Sequence, residues 1–260
     1  MKKITITLLL SLFAACSLAQ NVEKKEYRMI WNDEFDGTKI DQSKWSRIPR
    51  GESHWNVNMS EREDLVQLCN GNVLMHGVMN PDRTIDTARY LTGGLYSKGK
   101  FSFLYGKVEI RAQLGSIQGA WPAFWMLPEK GVWPKAGEMD IMEHLNFDDF
   151  VYQTTHSYYT HVLKKKDHPK NFSTGKITNG EYNIYAVEWT PTELIYSVNG
   201  VQTYVYPKID TKEEGQWPFT TPFYILIDQQ LGGPGTWVGP VNEAQLPVTM
   251  WIDYVRVYQK

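Results

Sequence analysis

The sequence predicts an all-β protein, either an antiparallel sandwich or a barrel, from three observations. Helical periodicity is hard to find anywhere in the chain, and short alternating or aromatic-rich runs recur instead between Gly, Asn, Pro and Asp turns. The pairs Asn70-Gly71 and Asn199-Gly200 each stand between two such runs, which is the strongest short-range signal for a β-hairpin. Many short strands joined by regular turns are typical of sandwiches and barrels.

The first segment of the chain is predicted to be a targeting signal and is therefore not counted in the predicted folded domain. Residues 1–19, MKKITITLLLSLFAACSLA, place two lysines before an apolar run that ends in small residues, as in a secretory signal peptide. Cleavage after Ala19 is favoured. The alternative is a bacterial lipoprotein signal ending at Cys16, although Phe13 then stands where an aliphatic residue is usual. We therefore expect an exported protein, which is periplasmic, extracellular or held at the cell surface by a lipid on Cys16.

The strand-like runs of the remaining chain follow one another without a linker, a repeat or a low-complexity stretch. In chain order they are LVQLC-NG-NVLMHGV (65–78), GGLYSKGKFSFLYGKVEIRAQL (93–114), YNIYAVEW (182–189), LIYSV-NG-VQTYVY (194–206), PFYILID (222–228) and TMWIDYVRVY (249–258). In the last run, inward positions at Ile252, Tyr254 or Val255, and Val257 predict a core strand that closes the fold. We expect residues 20–260 to form one domain.

Composition excludes several classes of protein. Of the 27 basic residues two lie in the signal segment, which has no acid, so 25 basic residues face 29 acidic ones and the mature net charge is −4. This balance, with no basic cluster beyond Lys164–Lys166, argues against nucleic acid as a partner. Cys69 is the only cysteine after residue 19, which excludes a disulfide framework and a cysteine metal site. No other apolar run approaches the length of a transmembrane segment.

The stretch GEMDIMEHLN, residues 137–146, places three carboxylates, Glu138, Asp140 and Glu143, within six positions. On a regular strand the first two share a face, whereas Glu143 would point the opposite way, with the apolar residues. Burying an unpaired carboxylate there costs several kcal/mol. A one-residue β-bulge at Ile141–Met142 would return Glu143 to the face of the other two acids. We therefore expect all three acids on one side of the strand.

Three aligned carboxylates suit the hydrolysis of glycosidic bonds, in which one carboxylate attacks the sugar and another donates a proton. Because crowded like charges cannot all ionise, at least one proton stays within the trio. Two other interpretations stand beside this one: a solvated strand face, and a calcium site, although hard cations usually take ligands from a curved loop. Tryptophans beside Gly and Pro, in GAWPAFW and GVWPKAG, indicate platforms for sugar rings, although most of the ten Trp are expected in the core.

These motifs resemble glycoside hydrolase family 16, in its laminarinase-like branch, including members from gut bacteria. The family's Glu-x-Asp-x-x-Glu signature on a bulged strand stands here as Glu138, Asp140 and Glu143, after WPAFWMLP. Further blocks that resemble the family are WNDEFDG (31–37), DQSKW (41–45), YSKGKFSFLYGKVEIRAQL (96–114), YAVEWTPTELIYSVNG (185–200) and WIDYVRVYQ (251–259). The likeness therefore runs nearly from end to end.

The resemblance implies a concanavalin-A-like β-jelly-roll sandwich with a substrate cleft on its concave face. It also implies an endo-acting, retaining β-glycosidase that requires no cofactor, and we expect a monomer. By position, Glu138 resembles the nucleophile and Glu143 the acid/base. Asp140 resembles the helper that hydrogen-bonds the nucleophile.

The resemblance also implies residues that contact the substrate or a metal ion. Trp133 and Trp121 match sugar-stacking positions, His156 matches a histidine near the acid/base, and Asn58 matches an asparagine that contacts the sugar. Many members bind a structural calcium ion on the convex face, and the matching residues here are Glu34, Gly71 and Asp253.

The chain departs from the family pattern at positions that bear on the substrate. IDQQLGG, residues 227–233, stands where Asn-x-Ala-Val-Gly-Gly is usual, so that Asp228 and Gln230 occupy places where substrate contacts differ. Another departure is Tyr-Asn-Ile-Tyr at 182–185, where Phe-His-x-Tyr is common. The segment 143–161 is similar to members from gut and host-associated bacteria. Some of those cut galactose linkages in mucin-type O-glycans and poly-N-acetyllactosamine, and others cut mixed-linkage glucans. We therefore favour an endo-β-1,4-galactosidase, with an endo-β-1,3-glucanase (laminarinase) or a mixed-linkage β-1,3-1,4-glucanase as the alternative.

Two rival functions use the same features differently. A non-catalytic glycan-binding module would share the tryptophan-lined face, but a binder has no use for two glutamates flanking an aspartate. A transglycosylase would keep the trio and transfer the glycosyl group to a sugar in place of water.

Overall fold

Two antiparallel β-sheets stack face to face in the computed structural model, which describes residues 26–260. The first eight strands are β1 (Arg28–Asp33), β2 (Ser46–Arg47), β3 (Val66–Cys69), β4 (Asn72–Met79), β5 (Tyr90–Thr92), β6 (Gly94–Tyr96), β7 (Gly106–Gln113) and β8 (Ala120–Pro128). The others are β9 (Glu138–Glu143), β10 (Phe150–His156), β11 (Phe172–Lys176), β12 (Tyr182–Trp189), β13 (Glu193–Val198), β14 (Val201–Pro207), β15 (Phe223–Leu231) and β16 (Val248–Gln259). The predicted all-β sandwich is confirmed.

The larger sheet has nine strands and the smaller has seven. The larger runs in the order β14-β13-β12-β7-β16-β4-β3, with β1 paired to β16 and β5 paired to β4. The smaller runs in the order β11-β10-β9-β8-β15-β6-β2, so that the acid-bearing strand β9 lies well inside the sheet. The proposed signal segment and Cys16 lie outside the described residues.

Both predicted hairpins are present. Asn70 and Gly71 join β3 to β4 with φ angles of +51° and +71°. Asn199 and Gly200 join β13 to β14 with φ angles of +51° and +76°. Two successive residues with positive φ match the twist of the flanking strands, and Asn followed by Gly is the pair that adopts this conformation most readily.

Helical structure is confined to short turns in the part of the chain that the structure describes. They are two 3₁₀ turns (Glu63–Leu65 and Glu243–Gln245) and one π turn (Tyr158–Val162). Among residues 26–260, no helix combines the length and the apolar composition needed to cross a membrane.

The main hydrophobic core fills the space between the sheets. Alternate residues of β16, Met250, Ile252, Val255 and Val257, are buried there, and the step from Ile252 to Val255 coincides with a register shift against β7. Strand β9 supplies the same core from the smaller sheet, since its apolar residues are fully buried. The opposite face of the smaller sheet is therefore left for the acids.

Candidate active site

A β-bulge in β9 places the three acids on one face. Phe124 of β8 pairs with Met142, whereas the next residue, Trp125, pairs with Asp140, so Ile141 is the extra residue. Strand β10 shows the same shift on the other side. The buried side chain of Gln153 donates a hydrogen bond from Nε2 to the carbonyl oxygen of Ile141 at 2.8 Å, which satisfies the backbone at the bulge. The predicted bulge is confirmed.

The three acids line a single open cavity of about 510 Å³ on the outer face of the smaller sheet. Asp140 is buried, whereas Glu138 and Glu143 are partly exposed. Aromatic side chains form most of the surrounding walls: Trp55, Trp121, Trp125, Trp133, Tyr152, Phe172 and Trp237. An acidic floor between aromatic walls is the combination that a sugar ring requires, since the rings cover its faces and the carboxylates reach its polar edge.

Each acid has its own polar partner in the wall. The indole N–H of Trp133 donates to Oε2 of Glu138. The indole N–H of Trp121 donates to Oε1 of Glu143, with an N–O distance of 2.9 Å. Nε2 of His156 lies 3.1 Å from Oδ2 of Asp140. The two indoles fix Glu138 and Glu143 and leave the remaining oxygens of these two carboxylates for a substrate.

Burial and mutual repulsion raise the pKa values of all three acids. Loss of hydration raises the pKa of Glu138 to about 8, with a further contribution from the charge of Asp140. Loss of hydration also raises the pKa of Glu143 to about 7, against the hydrogen bond from Trp121 that lowers it. Burial first and then the charge of Glu143 raise the pKa of Asp140 well above its usual value. The trio therefore holds protons near neutral pH, as general acid catalysis requires.

Of the substrate-contacting residues predicted from the sequence, four line this cavity: Trp121, Trp133, His156 and Gln230. Asn58 does not. It lines a neighbouring cavity of about 720 Å³, between residues 54–58 and 231–244, together with Arg89 and Tyr90. The contact of Asn58 with a sugar therefore stays a prediction, while Trp55 lines the cavity of the three acids from the same segment.

The residues predicted to hold calcium do not form a metal site in this structure. Arg256 binds both carboxylate oxygens of Glu34, at 2.9 and 2.8 Å. Nη1 of Arg111 lies 2.5 Å from Oδ2 of Asp253. Gly71 stands in the β3–β4 turn, where its carbonyl oxygen is the group that it can contribute. Among residues 26–260, no three His, Cys, Asp or Glu side chains are grouped as a metal ion requires. The calcium expectation is therefore not supported, since each carboxylate already has a guanidinium partner.

Several cavity residues were missed by the sequence reasoning. Trp237 packs edge-on against Trp121, with ring centroids 6.0 Å apart, and Tyr152 packs against Trp237 at 5.1 Å. Asn171 also lines the cavity and is 3% exposed. These residues lie outside the acid motif, and the sequence carries a local signal for Trp237 alone. That signal is the position of Trp237 in the Gly-rich stretch 232–239.

The chain is similar to known proteins of one enzyme family over most of its length. The family model described as "Glycosyl hydrolases family 16" matches residues 56–254. The chain is 36% identical over 249 residues to the keratan-sulfate endo-1,4-beta-galactosidase of Sphingobacterium multivorum, covering 93% of this chain but 57% of that protein. It is 31% identical over 273 residues to the beta-glucanase of Rhodothermus marinus, covering 96% of this chain and 93% of that one. The chain thus spans little more than half the length of the first relative.

Solved structures agree with these matches. The laminarinase from Rhodothermus marinus superposes with a TM-score of 0.79 at 31% identity, covering 90% of this chain and 98% of that one. A structure from work on endo-acting O-glycanases of the human gut microbiota, which initiate mucin breakdown, gives a TM-score of 0.77 at 27% identity. That match covers 88% of this chain and 98% of the other. The jelly-roll form of the sandwich is confirmed by these structural neighbours.

Proposed function

The chain belongs to glycosyl hydrolase family 16, and from that premise we propose that it is an endo-acting, retaining β-glycosidase that cuts internal β-linkages of a glycan. The observation that carries the proposal is the bulge at Ile141, which gathers Glu138, Asp140 and Glu143 in one aromatic-walled cavity. A glycan-binding module gains nothing from three carboxylates whose burial raises their pKa values.

In the first chemical step, Glu138 attacks the anomeric carbon while Glu143 protonates the departing glycosidic oxygen. The bond from the anomeric carbon to that oxygen breaks, its electron pair leaves with the oxygen, and the shortened glycan departs as an alcohol. Glu143 suits the role of acid because burial holds its pKa near 7, so a large fraction of it carries a proton at neutral pH.

In the second step, Glu143, now ionised, removes a proton from water, and the water oxygen attacks the anomeric carbon. The ester bond to Glu138 breaks and its electron pair returns to the carboxylate. Two displacements at one carbon retain the β-configuration.

Asp140 assists by sharing a proton with Glu138, with which it forms a side-chain hydrogen bond. When Asp140 holds that proton, Glu138 is free to attack. Nε2 of His156 lies 3.1 Å from Oδ2 of Asp140 and stabilises the negative charge on Asp140 when its proton moves to Glu138. The trio is thus one proton-sharing unit.

For the substrate, we favour a β-1,4-linked galactoside of mucin-type O-glycans or poly-N-acetyllactosamine. The likeness to a keratan-sulfate endo-1,4-beta-galactosidase and to a gut O-glycanase structure supports this choice. The second candidate is a β-1,3-glucan or a mixed-linkage β-glucan. It is supported by the beta-glucanase and laminarinase of Rhodothermus marinus.

We extend the proposal to the location and the assembly state of the protein. We propose that residues 1–19 direct export, that the protein acts outside the cytoplasm, and that Cys16 is a candidate lipid attachment point if cleavage precedes it. The chain is proposed to act as a monomer and without an organic or redox cofactor.

The test is a screen of galactosidic mucin O-glycans, laminarin and mixed-linkage glucan, with product sizing and NMR of the newly formed anomeric centre. We expect internal cuts in the galactosidic glycans and β-configured products. Products of inverted configuration, or no cleavage of any β-linked glycan, would contradict the proposal. Transfer to an added acceptor sugar would identify a transglycosylase.

A further inference from the structure

Asp228 and Gln230 lie next to one another on the cavity side of β15. These are the positions at which the chain departs from the Asn-x-Ala pattern of the family. Both side chains are buried, with 0% and 2% exposure, and Gln230 lines the same cavity as the three acids. In the sheet, Gln230 pairs with Trp121, whose indole holds Glu143, and Asp228 pairs with Ala123.

The orientation of the Gln230 carboxamide is determined by Asp228. Nε2 of Gln230 lies 2.5 Å from Oδ1 of Asp228, and the indole N–H of Trp125 donates to Oδ2 at 2.9 Å. Burial raises the pKa of Asp228 to about 7. Above that pH the ionised carboxylate only accepts hydrogen bonds, so the amide turns its N–H group towards Asp228. The carboxamide oxygen is consequently turned away from this pair.

That oxygen has no hydrogen-bond donor. Oε1 of Gln230 is shielded from solvent and accepts no hydrogen bond from the described residues. An unsatisfied buried acceptor is costly, and native proteins retain few of them. In a side chain that lines a substrate cavity, such an acceptor is explained when the ligand supplies the donor.

We propose that Gln230 is a specificity-determining residue, whose carboxamide oxygen accepts a hydrogen bond from one hydroxyl group of the bound galactosidic glycan. Asp228 is the positioning residue that keeps this oxygen, and not the N–H₂ group, available. The inference rests on the proposed function and deepens it. A site built to bond one hydroxyl rejects analogues that lack it, because its own polar group is then left unpaired.

The first experiment compares two Gln230 variants with the wild-type protein on substrates that each lack one hydroxyl group. Gln230→Ala and Gln230→Met, the second of which nearly keeps the side-chain volume, are assayed on a galactosidic oligosaccharide and on its monodeoxy analogues. For the wild-type protein, we expect removal of one hydroxyl to lower kcat/KM at least about tenfold. Both variants should show a similar loss on the parent oligosaccharide and no further loss on that analogue.

Two results would overturn the proposal: wild-type kcat/KM in both variants, or variants that still discriminate against the same deoxy analogue as the wild-type protein does. Gln67→Ala is the matched control, because Gln67 is exposed on β3 of the other sheet. Melting temperatures establish that the variants are folded.

The second experiment tests the role of Asp228. In Asp228→Asn, the new amide N–H₂ can face Gln230, which allows the Gln230 amide to turn over and present a donor. We expect a rise in KM that exceeds the fall in kcat, and we expect Asp228→Asn to add nothing to Gln230→Ala in the double variant. An equal loss in both backgrounds would show that Asp228 has a merely structural role.

A separate measurement distinguishes this inference from the proposed function. Binding of the parent and monodeoxy oligosaccharides to Glu138→Gln is measured by calorimetry, which needs no turnover. If the wild-type protein cleaves no glycan, the proposed function fails. The binding measurement still tests whether Gln230 recognises a hydroxyl group of the glycan. The inference is supported if one deoxy analogue binds more weakly than the parent oligosaccharide to Glu138→Gln. Adding Gln230→Met to that variant should remove this difference. Equal binding of all analogues contradicts the inference.

Discussion

The indole nitrogen of Trp121 lies 2.9 Å from Oε1 of Glu143, and its N–H group donates to the carboxyl group that we propose as the acid/base. A donor of this kind favours the ionised carboxylate and so lowers its pKa. Burial acts in the opposite direction and is the larger effect, which leaves the pKa at about 7. The pH range of activity therefore depends on a balance between one hydrogen bond and loss of hydration.

Trp121→Phe should extend activity to higher pH. Glu143 must hold a proton to act as the acid, so kcat/KM of the wild-type protein should fall as the pH rises through about 7. Without the indole donor the pKa rises further, and the alkaline limb should move to higher pH. Profiles of kcat/KM against pH measure the shift. Trp237→Phe is the control, because Trp237 packs against Trp121 and forms no hydrogen bond with Glu143; an equal shift there would refute the explanation.

The two glutamates should respond differently to the leaving group. Glu143→Gln should lower kcat on natural glycans by about 10²–10⁴, the usual contribution of general acid catalysis. On an aryl glycoside whose phenol leaves without protonation, kcat/KM should fall much less, because it reports only the first step and not the base-assisted attack of water. Glu138→Gln should lose activity on both, because the nucleophile is required in either case. Steady-state kinetics on the two substrate types provide the comparison, and similar losses for Glu143→Gln on both would reassign its role.

Glu138→Gln should stabilise the protein at alkaline pH. The pKa of Glu138 is raised from 4.5 to about 8, so between these values the folded protein holds a proton that the unfolded chain releases. This contribution to stability is fully present below about pH 4.5 and is lost as the pH rises to about 8. The gain in melting temperature on substitution should therefore be larger near pH 8 than near pH 5. About 1 kcal/mol corresponds to about 2–4 °C in a chain of this size. A difference that is independent of pH would contradict the raised pKa.

Insertion of one alanine between Met142 and Glu143 should abolish activity. The inserted residue takes the cavity-facing position of β9 and directs Glu143 into the core, where an unpaired carboxylate is strongly unfavourable. Ile141→Val is the control, since it keeps the register and should cost about 0.5–1.5 kcal/mol. Melting curves and cleavage assays distinguish the two, and an active insertion variant would show that Glu143 need not face the cavity.

Chelation of divalent cations should leave the melting temperature unchanged. Both oxygens of Glu34 are bound by Arg256 and one oxygen of Asp253 by Arg111, so each carboxylate is already neutralised by a guanidinium group. Arg256→Met should release Glu34 and allow added calcium to raise the melting temperature. Calorimetry with EDTA and with calcium chloride tests both statements. A wild-type melting temperature that falls in EDTA would restore the calcium site.

The parts of the structure that could be predicted from the sequence are those determined by short-range chemistry. Asn70-Gly71 and Asn199-Gly200 specify tight hairpins because successive positive φ angles suit few other residues. The bulge at Ile141 follows from the spacing of the acids, since only an extra residue brings Glu143 to the face of Asp140 without burying a charge.

The walls of the cavity could not be predicted in the same way. Trp55, Tyr152 and Trp237 come from separate segments, and their convergence depends on the order of strands across the sheet. Asn58 illustrates the same limit: it lies three residues from Trp55, yet it lines the neighbouring cavity. The arginine partners of Glu34 and Asp253 likewise arise from cross-strand neighbours that a single sequence does not identify.

The position of β16 in the middle of the larger sheet affects the order in which the protein folds. This strand pairs with β1, β4 and β7, and a bond such as that from Arg256 to Glu34 spans 222 positions of the chain. Contacts so distant in sequence make closure of the larger sheet a slow, late event in folding. Until residues 248–259 have paired, the folding chain exposes the edges of β4 and β7, and aggregation competes with folding during that interval.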